Sequence, residues 1–161
     1  MRSESEVIKA IDKYADTVTR ICMLYLKSYT DTEDVFQSVF IKYAFKSPEF
    51  ENETHEKAWI IRVTINACKD MLKSFFRNRT VPLAEAAKKP WEDKEDLSYV
   101  LEAVLSLPEK YRVVVYLHYF EEYTAVEIGQ ILKKNVNTIY TRLARAKEML
   151  RERLGGDGYE G

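Results

Sequence analysis

Apolar residues recur at helical spacing from Val7 to Phe45, from Glu56 to Phe76 and again from Leu97 to about Leu154. No stretch alternates convincingly with period two, and the run Val113-Val114-Val115 is flanked by helix-compatible spacing. The pattern breaks over 80–96, where Pro82 and Pro90 bracket a polar segment ending in Trp91-Glu92-Asp93-Lys94-Glu95-Asp96. Little there forms a packed face, so it reads as a linker with at most a short helical turn. Pro48 ends one helical stretch and Pro108 punctuates a later helix pair. The prediction is an all-α chain. Two small helical domains, 1–79 and 97–155, are joined by a flexible acidic linker, 80–96, and followed by a disordered tail, 156–161. No internal repeat is evident.

Composition narrows the chemistry. Of 161 residues, 46% are hydrophobic, enough for real cores, while 32% charged residues and a net charge of -1 argue against disorder or a uniformly basic arm. Apolar runs such as Val113 to Leu117 are far too short to span a bilayer, and Met1-Arg2-Ser3-Glu4-Ser5-Glu6 lacks the apolar block of a signal peptide. A soluble cytoplasmic protein with no membrane insertion is expected. Only Gly129 lies in the body of the chain, so no glycine-rich loop can cradle a phosphate or dinucleotide. Cys22, Cys68, His55 and His118 show neither paired metal spacing nor a disulfide framework. His55 reads as a loop residue and His118 as a core-flanking one. The expectation is no catalytic residue, no metal, no cofactor, no small-molecule substrate and no enzyme.

The near-neutral total hides two basic segments. Over 57–79, Lys57, Arg62, Lys69, Lys73, Arg77 and Arg79 face Asp70 alone, a net +5. Over 133–153, Lys133, Lys134, Arg142, Arg145, Lys147, Arg151 and Arg153 face Glu148 and Glu152, again +5. One such segment in each domain suggests two contacts with a polyanion, against the plainer reading of two solvated helix faces.

Helical geometry sharpens the choice. Across Lys57 to Phe76, Arg62, Asn66, Lys69 and Lys73 are spaced i, i+4, i+7 and i+11 on one stripe about 60° wide. Trp59 and Asp70 border it, and most of the remaining circumference is apolar, so the helix should be buried except along that line. Cations suit phosphates, an amide can read a base edge and an aromatic ring can stack on an unpaired base. The competing account is a snorkelling solvent face beside a core tryptophan.

Thr124 to Leu132 reads as a short amphipathic helix opened by a capping box, Thr124 with Glu127. Gly129 leaves room there for a partner helix. Lys133-Lys134-Asn135-Val136 makes a turn, and Asn137 is well placed to cap the next helix. On that helix Ile139, Leu143, Ala146 and Leu150 form a core stripe, opposite Thr138, Thr141, Ala144, Arg145 and Glu148. Arg142, Lys147 and Arg151 flank it. Short polar residues with one arginine toward base edges, and cations at the rails, suit a major-groove recognition helix. A helical hairpin serving a protein interface would not need the basic flanks.

A third helix, from about Thr32 to Lys46, puts Phe36, Val39, Phe40 and Tyr43 on a core face. Its opposite side carries Asp34, Gln37, Ile41, Ala44 and Phe45, so it is either buried all round or presents an adhesive surface to a partner.

These residues resemble an extracytoplasmic-function sigma factor, the promoter-recognition subunit of bacterial RNA polymerase. Asp31-Thr32-Glu33-Asp34-Val35-Phe36-Gln37 resembles the family's acidic helix. Phe50, then Trp59-Ile60-Ile61-Arg62-Val63-Thr64-Ile65-Asn66 and Asp70, resembles its aromatic, asparagine and aspartate series. Leu107-Pro108-Glu109-Lys110-Tyr111-Arg112 and Thr138 to Lys147 resemble the segment before the helix-turn-helix and its recognition helix. Departures are Lys133 and Lys134 in the turn, where glycine and an aliphatic residue are frequent, Asn137 for a frequent glycine, and an acidic loop 50–56 without arginine. Asn135 tolerates the left-handed backbone such a turn needs.

The resemblance implies roles. Asn137, Thr138, Tyr140, Thr141, Arg142, Arg145 and Lys147 would read the upstream promoter element as duplex. Phe50, Asn52, Trp59, Arg62, Asn66, Lys69, Asp70 and Lys73 would meet the downstream element as it melts, with Asn66 and the loop 50–56 forming a pocket for a flipped base. Asp34, Gln37, Phe40 and Ile41 would dock on the clamp of core RNA polymerase. The second domain would sit on the polymerase flap, and the acidic linker would thread toward the RNA exit path. An anti-sigma factor is an expected partner. Two other readings are a stand-alone helix-turn-helix regulator and an interaction module with no nucleic-acid role. The first leaves the N-terminal stripe and the partner-like third helix unexplained, and the second takes both basic stripes as merely solvated.

Overall fold

The computed structural model describes residues 1–78, with side chains through 74, and residues 102–154. The chain divides into two compact units, Met1–Pro90 and Trp91–Gly161. The expected linker 80–96, with Glu92, Asp93, Glu95 and Asp96, lies outside the described residues, as do the tail 156–161 and the three expected domain boundaries.

The first unit is built from α1 (Glu4–Tyr25), α2 (Tyr29–Lys46) and α3 (Glu53–Asn78), and each pair packs together. Ser3 and Glu6 open α1 with a reciprocal capping box. Within the periodic stretch from Val7 to Phe45, the helix expected from about Thr32 is a separate element, α2. Lys27 adopts a left-handed backbone, φ 53°, and Ser28 caps α2 through its hydroxyl. Helix α2 therefore starts one turn before Thr32, whose buried hydroxyl donates to the Ser28 carbonyl at 2.6 Å. Helix α3 starts at Glu53, because Asn52 Oδ1 accepts the His55 N–H at 2.8 Å. The expected loop 50–56 thus shrinks to Phe50, Glu51 and Asn52, and His55 is helical.

Ile60, Ile61, Ile65 and Cys68 of α3 are buried with Val18, Ile21, Cys22 and Leu24 of α1 and Val35, Val39, Phe40 and Tyr43 of α2. One polar brace ties all three helices. The Glu56 carboxylate accepts hydrogen bonds from Tyr14 Oη at 2.8 Å and Tyr43 Oη at 2.7 Å. Burial, reinforced by this carboxylate, raises both phenols, Tyr43 to about 12 and Tyr14 further.

In the second unit, helical residues 102–105 (α4) lead through Pro108 into α5 (Glu109–Val115). This helix continues as a π-helical turn, Tyr116–Phe120, closed by the Glu121 N–H on the Tyr116 carbonyl at 3.2 Å. Helices α6 (Ala125–Leu132) and α7 (Val136–Arg153) complete the unit, and α7 packs on both α5 and α6. Val113, Val114, Val115, Tyr116 and Leu117 are buried with Ile128, Ile139 and Ala146, so the valine run is helical core. No strand occurs among the described residues.

The capping box of Thr124 and Glu127 is present in both directions. The turn that follows differs from expectation in two ways. Lys133, not Asn135, takes the left-handed conformation, φ 56° and ψ 49°. Asn135, not Asn137, caps α7, its Oδ1 accepting the Asn137 N–H at 2.8 Å. A carboxamide two residues before a free helical N–H outcompetes one already inside the first turn. Gly129 is needed because a Cβ there would lie 2.8 Å from the Lys134 carbonyl oxygen. The close approach is made by the turn's backbone, with α7 following through Val136 and Ile139.

Candidate nucleic-acid interfaces

In the first unit the stripe on α3 opens to solvent. Asn66, Asp70 and Lys73 are exposed, and Arg62 and Lys69 are half-buried. Trp59 is also half-buried, so it is neither a core residue nor a bare surface ring. Its ring centroid lies 5.7 Å from that of Phe50 and 6.3 Å from that of Tyr43. Phe50 stacks nearly parallel to Tyr43 and meets His55 edge-on at 5.2 Å. The aromatic cluster thus sits at one end of the cationic line. Asn66 follows Trp59 by seven residues, about 10 Å along the axis. Asn52 is exposed, but its carbonyl oxygen is committed to capping α3.

The outer face of α2 answers the question left open by periodicity. Asp34 and Gln37 are exposed, and so are Ile41 at 59% and Phe45 at 62%. An apolar pair at i, i+4 in water is a surface awaiting a partner. Phe40 does not belong to it. It is 5% exposed and packs on Phe36 with centroids 4.9 Å apart, so it supports the face from beneath and cannot itself be a contact.

In the second unit the N-terminal turns of α7 and α5 form an open cavity of about 460 Å³. Asn137, Thr138, Thr141, Arg142 and Arg145 line it together with Lys110 and Tyr111 of α5. Three cations and four hydrogen-bonding side chains converge there, a set suited to phosphates and base edges. Lys110 and Tyr111 stood in the sequence only as part of the segment before the helix-turn-helix pattern; α5 packing against α7 brings them beside its polar face. Tyr140, 57% exposed, and Lys147 lie on the surface of α7 outside this cavity. Thr141 donates its hydroxyl to the Asn137 carbonyl at 2.9 Å, which leaves the oxygen as an acceptor.

Among the described residues no group of three or more His, Cys, Asp or Glu side chains is placed to hold a metal ion. No described helix is long and apolar enough to cross a membrane. Cys22 and Cys68 are buried.

Comparison with known proteins follows the same division. Residues 10–79 match the sigma-70 region 2 family, and residues 97–150 match sigma-70 region 4. The ECF RNA polymerase sigma factor SigW of Bacillus subtilis is 26% identical, with 89% of this chain and 86% of the relative aligned. The RNA polymerase sigma factor SigV of the same organism is 28% identical over 92% and 90% of the two chains. The fold resembles that of the sigma factor RpoE of Bartonella quintana, solved in complex with the anti-sigma factor NepR. The TM-score is 0.79 at 20% identity, covering 94% of this chain and 98% of that one. With both sigma-70 regions in order and each carrying a cationic, solvent-open surface, the chain belongs to the sigma-70 family as an extracytoplasmic-function sigma factor, a promoter-specific initiation factor of transcription.

Proposed function

We propose that the two surfaces divide promoter recognition between them. The cavity at the start of α7 reads the upstream element as duplex, with Asn137, Thr138, Tyr140, Thr141, Arg142 and Arg145 toward the major groove and Lys147 at the rail. The stripe on α3 receives the downstream element as it opens. Arg62, Lys69 and Lys73 hold phosphates, while Asn66, bordered by Asp70, and the short connection carrying Phe50 and Asn52 accept a base turned out of the stack. Trp59 offers a stacking face. Capture of an extruded base offsets the few kcal/mol, roughly, that unstacking requires, and so favours the open duplex without ATP. The observation that carries this reading is the co-location of a cationic line, an exposed amide and a half-buried aromatic cluster on one face of the first unit.

Asp34, Gln37 and Ile41, with Phe45, dock on the clamp of core RNA polymerase, and this contact covers the apolar pair. The second domain sits on the flap, and the acidic segment 80–96 follows the RNA exit path between domains 1–79 and 97–155. An anti-sigma factor holds the free protein by covering polymerase-binding faces, as the anti-sigma complex of the RpoE relative suggests. The protein acts in the cytoplasm and, as a subunit that directs another enzyme, needs no catalytic residue of its own.

Run-off transcription with purified core polymerase on a genomic fragment library tests the whole assignment. Discrete start sites sharing two spaced elements are expected. No association with core polymerase at micromolar protein, together with DNA binding by the chain alone, would instead establish a stand-alone regulator. Retention on promoter DNA that fell steeply with salt would exclude a role without nucleic acid.

A further inference from the structure

Residue 2 carries a cation that the function so far leaves unused. The Arg2 side chain is only 14% exposed, an expensive place for a guanidinium unless most of its donors are satisfied. They are. Nε donates to Ser47 Oγ at 2.6 Å, Nη1 pairs with Glu6 Oε2 at 3.1 Å, and Nη2 donates to the Pro48 carbonyl. The Arg2 backbone N–H adds a bond to the Ala44 carbonyl at 2.8 Å, in the last turn of α2. The guanidinium carbon also lies 4.9 Å from the ring centroids of both Tyr43 and Phe50. One side chain therefore ties the start of α1 to the end of α2 and to the connection that leads into Phe50.

The other contacts of that connection run to α2 and α3, the helices it joins. Ser47 donates to the Tyr43 carbonyl, the Glu51 N–H donates to His55 Nδ1 at 3.2 Å, Asn52 caps α3, and Phe50 packs on the rings of Tyr43, His55 and Trp59. Arginine's flat fork suits this place, because it can stack on aromatic faces while its edge bonds to oxygens.

We propose that Arg2 is a positioning residue for the downstream-element pocket: it fixes the 47–52 connection and the pose of Phe50, and through Phe50 that of Trp59, so that base discrimination during opening depends on the chain's second residue. The inference rests on the downstream reading of the α3 face. A pocket that must distinguish bases has to be rigid before the base arrives, since a misplacement of about 1 Å can reduce a rate by up to about a hundredfold.

The test uses holoenzyme assembled from core polymerase and the full chain, on the promoter found by run-off transcription and on single-base variants of its downstream element. Permanganate reactivity reports opening. With Arg2→Gln, opening on the cognate promoter should fall about tenfold, and the ratio of cognate to variant opening should drop toward one. Arg2→Lys, which keeps the charge and loses the fork, should fall between. A change confined to stability lowers opening equally on every template and leaves that ratio intact, so an unchanged ratio overturns the proposal whatever the absolute activity. Ser47→Ala, which removes one fork partner and keeps the cation, serves as a milder variant should Arg2→Gln fail to fold, and its ratio should also fall. Asn66→Ala separates the inference from its parent. If that variant lowers discrimination and neither Arg2→Gln nor Ser47→Ala does, Arg2 alone is excluded. If Asn66→Ala has no effect either, the downstream reading falls and the inference with it.

Discussion

The two candidate nucleic-acid surfaces are made by different physical means. In the second unit the surface is a polar cavity between helix N-termini, assembled from short helices, a capping box, one left-handed lysine and one glycine. Its contact residues hang from backbone that local rules largely dictate. In the first unit the surface runs along a single long helix, and its distinguishing end is a cluster of rings from α2, α3 and the connection between them. That cluster lies where the three helices meet, beside the Glu56 carboxylate that joins them and the Arg2 side chain that covers Tyr43 and Phe50. Reading an intact duplex needs side chains at helical spacing on a helix that fits a groove. Holding a base out of its stack needs a shaped, partly apolar recess, which no single helix provides.

The largest effect that would sharpen this contrast lies in the brace. Glu56→Ala leaves the Tyr14 and Tyr43 hydroxyls buried without their shared acceptor and should destabilise the first unit by about 3 kcal/mol. Separate probes of each unit during urea unfolding check it, with the second unit's transition expected to stay in place. Next comes the division of labour itself. Asn66→Ala should reduce promoter opening about tenfold and leave upstream-element binding nearly intact, and Arg145→Ala should do the reverse. Filter binding and permanganate footprinting measure the two; equal losses in both assays would falsify the separation.

A third test is alkaline. Tyr43 is raised to about 12 and Tyr14 is raised further, so the folded first unit keeps protons that the unfolded chain loses near pH 10. Stability from these phenols is complete below about pH 10 and declines as pH rises toward 12. Tyr123 in the second unit is also raised to about 12 by burial. Tyr43→Phe should therefore flatten the decline of the first unit's stability above pH 10. The smallest expected effect is in the turn. Lys133→Gly relieves a left-handed residue and should stabilise the second unit by under about 1 kcal/mol, with upstream binding unchanged. A thermal melt that falls instead would show that the lysine stem contributes packing there.

Much of the helical framework could be read from periodicity and caps. The Thr124 and Glu127 box and the stripe on α3 follow from spacing along one helix, whereas the exposure of the outer face of α2 does not. The misreadings share a cause. Two asparagines, Asn135 and Asn137, both suit a cap, and only the position at which the turn at Lys133 releases the chain selects between them. Helix α2 starts at Tyr29, ahead of the expected Thr32, because the left-handed Lys27 ends the preceding turn without a glycine or proline to announce it. The π-turn at Tyr116–Phe120 is invisible to a 100° wheel because it alters the period it is read with. Phe40 fits the core face of α2 by its spacing, and its assignment to polymerase contact came from resemblance rather than from that spacing.

What this chain's order of residues determined alone is its helical character and its two cationic helix lines, since these are periodic properties of one segment at a time. Tertiary structure decided which distant residues share a site. Lys110 and Tyr111 reach the recognition helix, and Arg2 reaches Phe50, 48 positions away, only once the helices have packed. The physical reason is that local propensity acts over a turn or two of helix, whereas a recess is bounded by whatever the burial of apolar faces brings together.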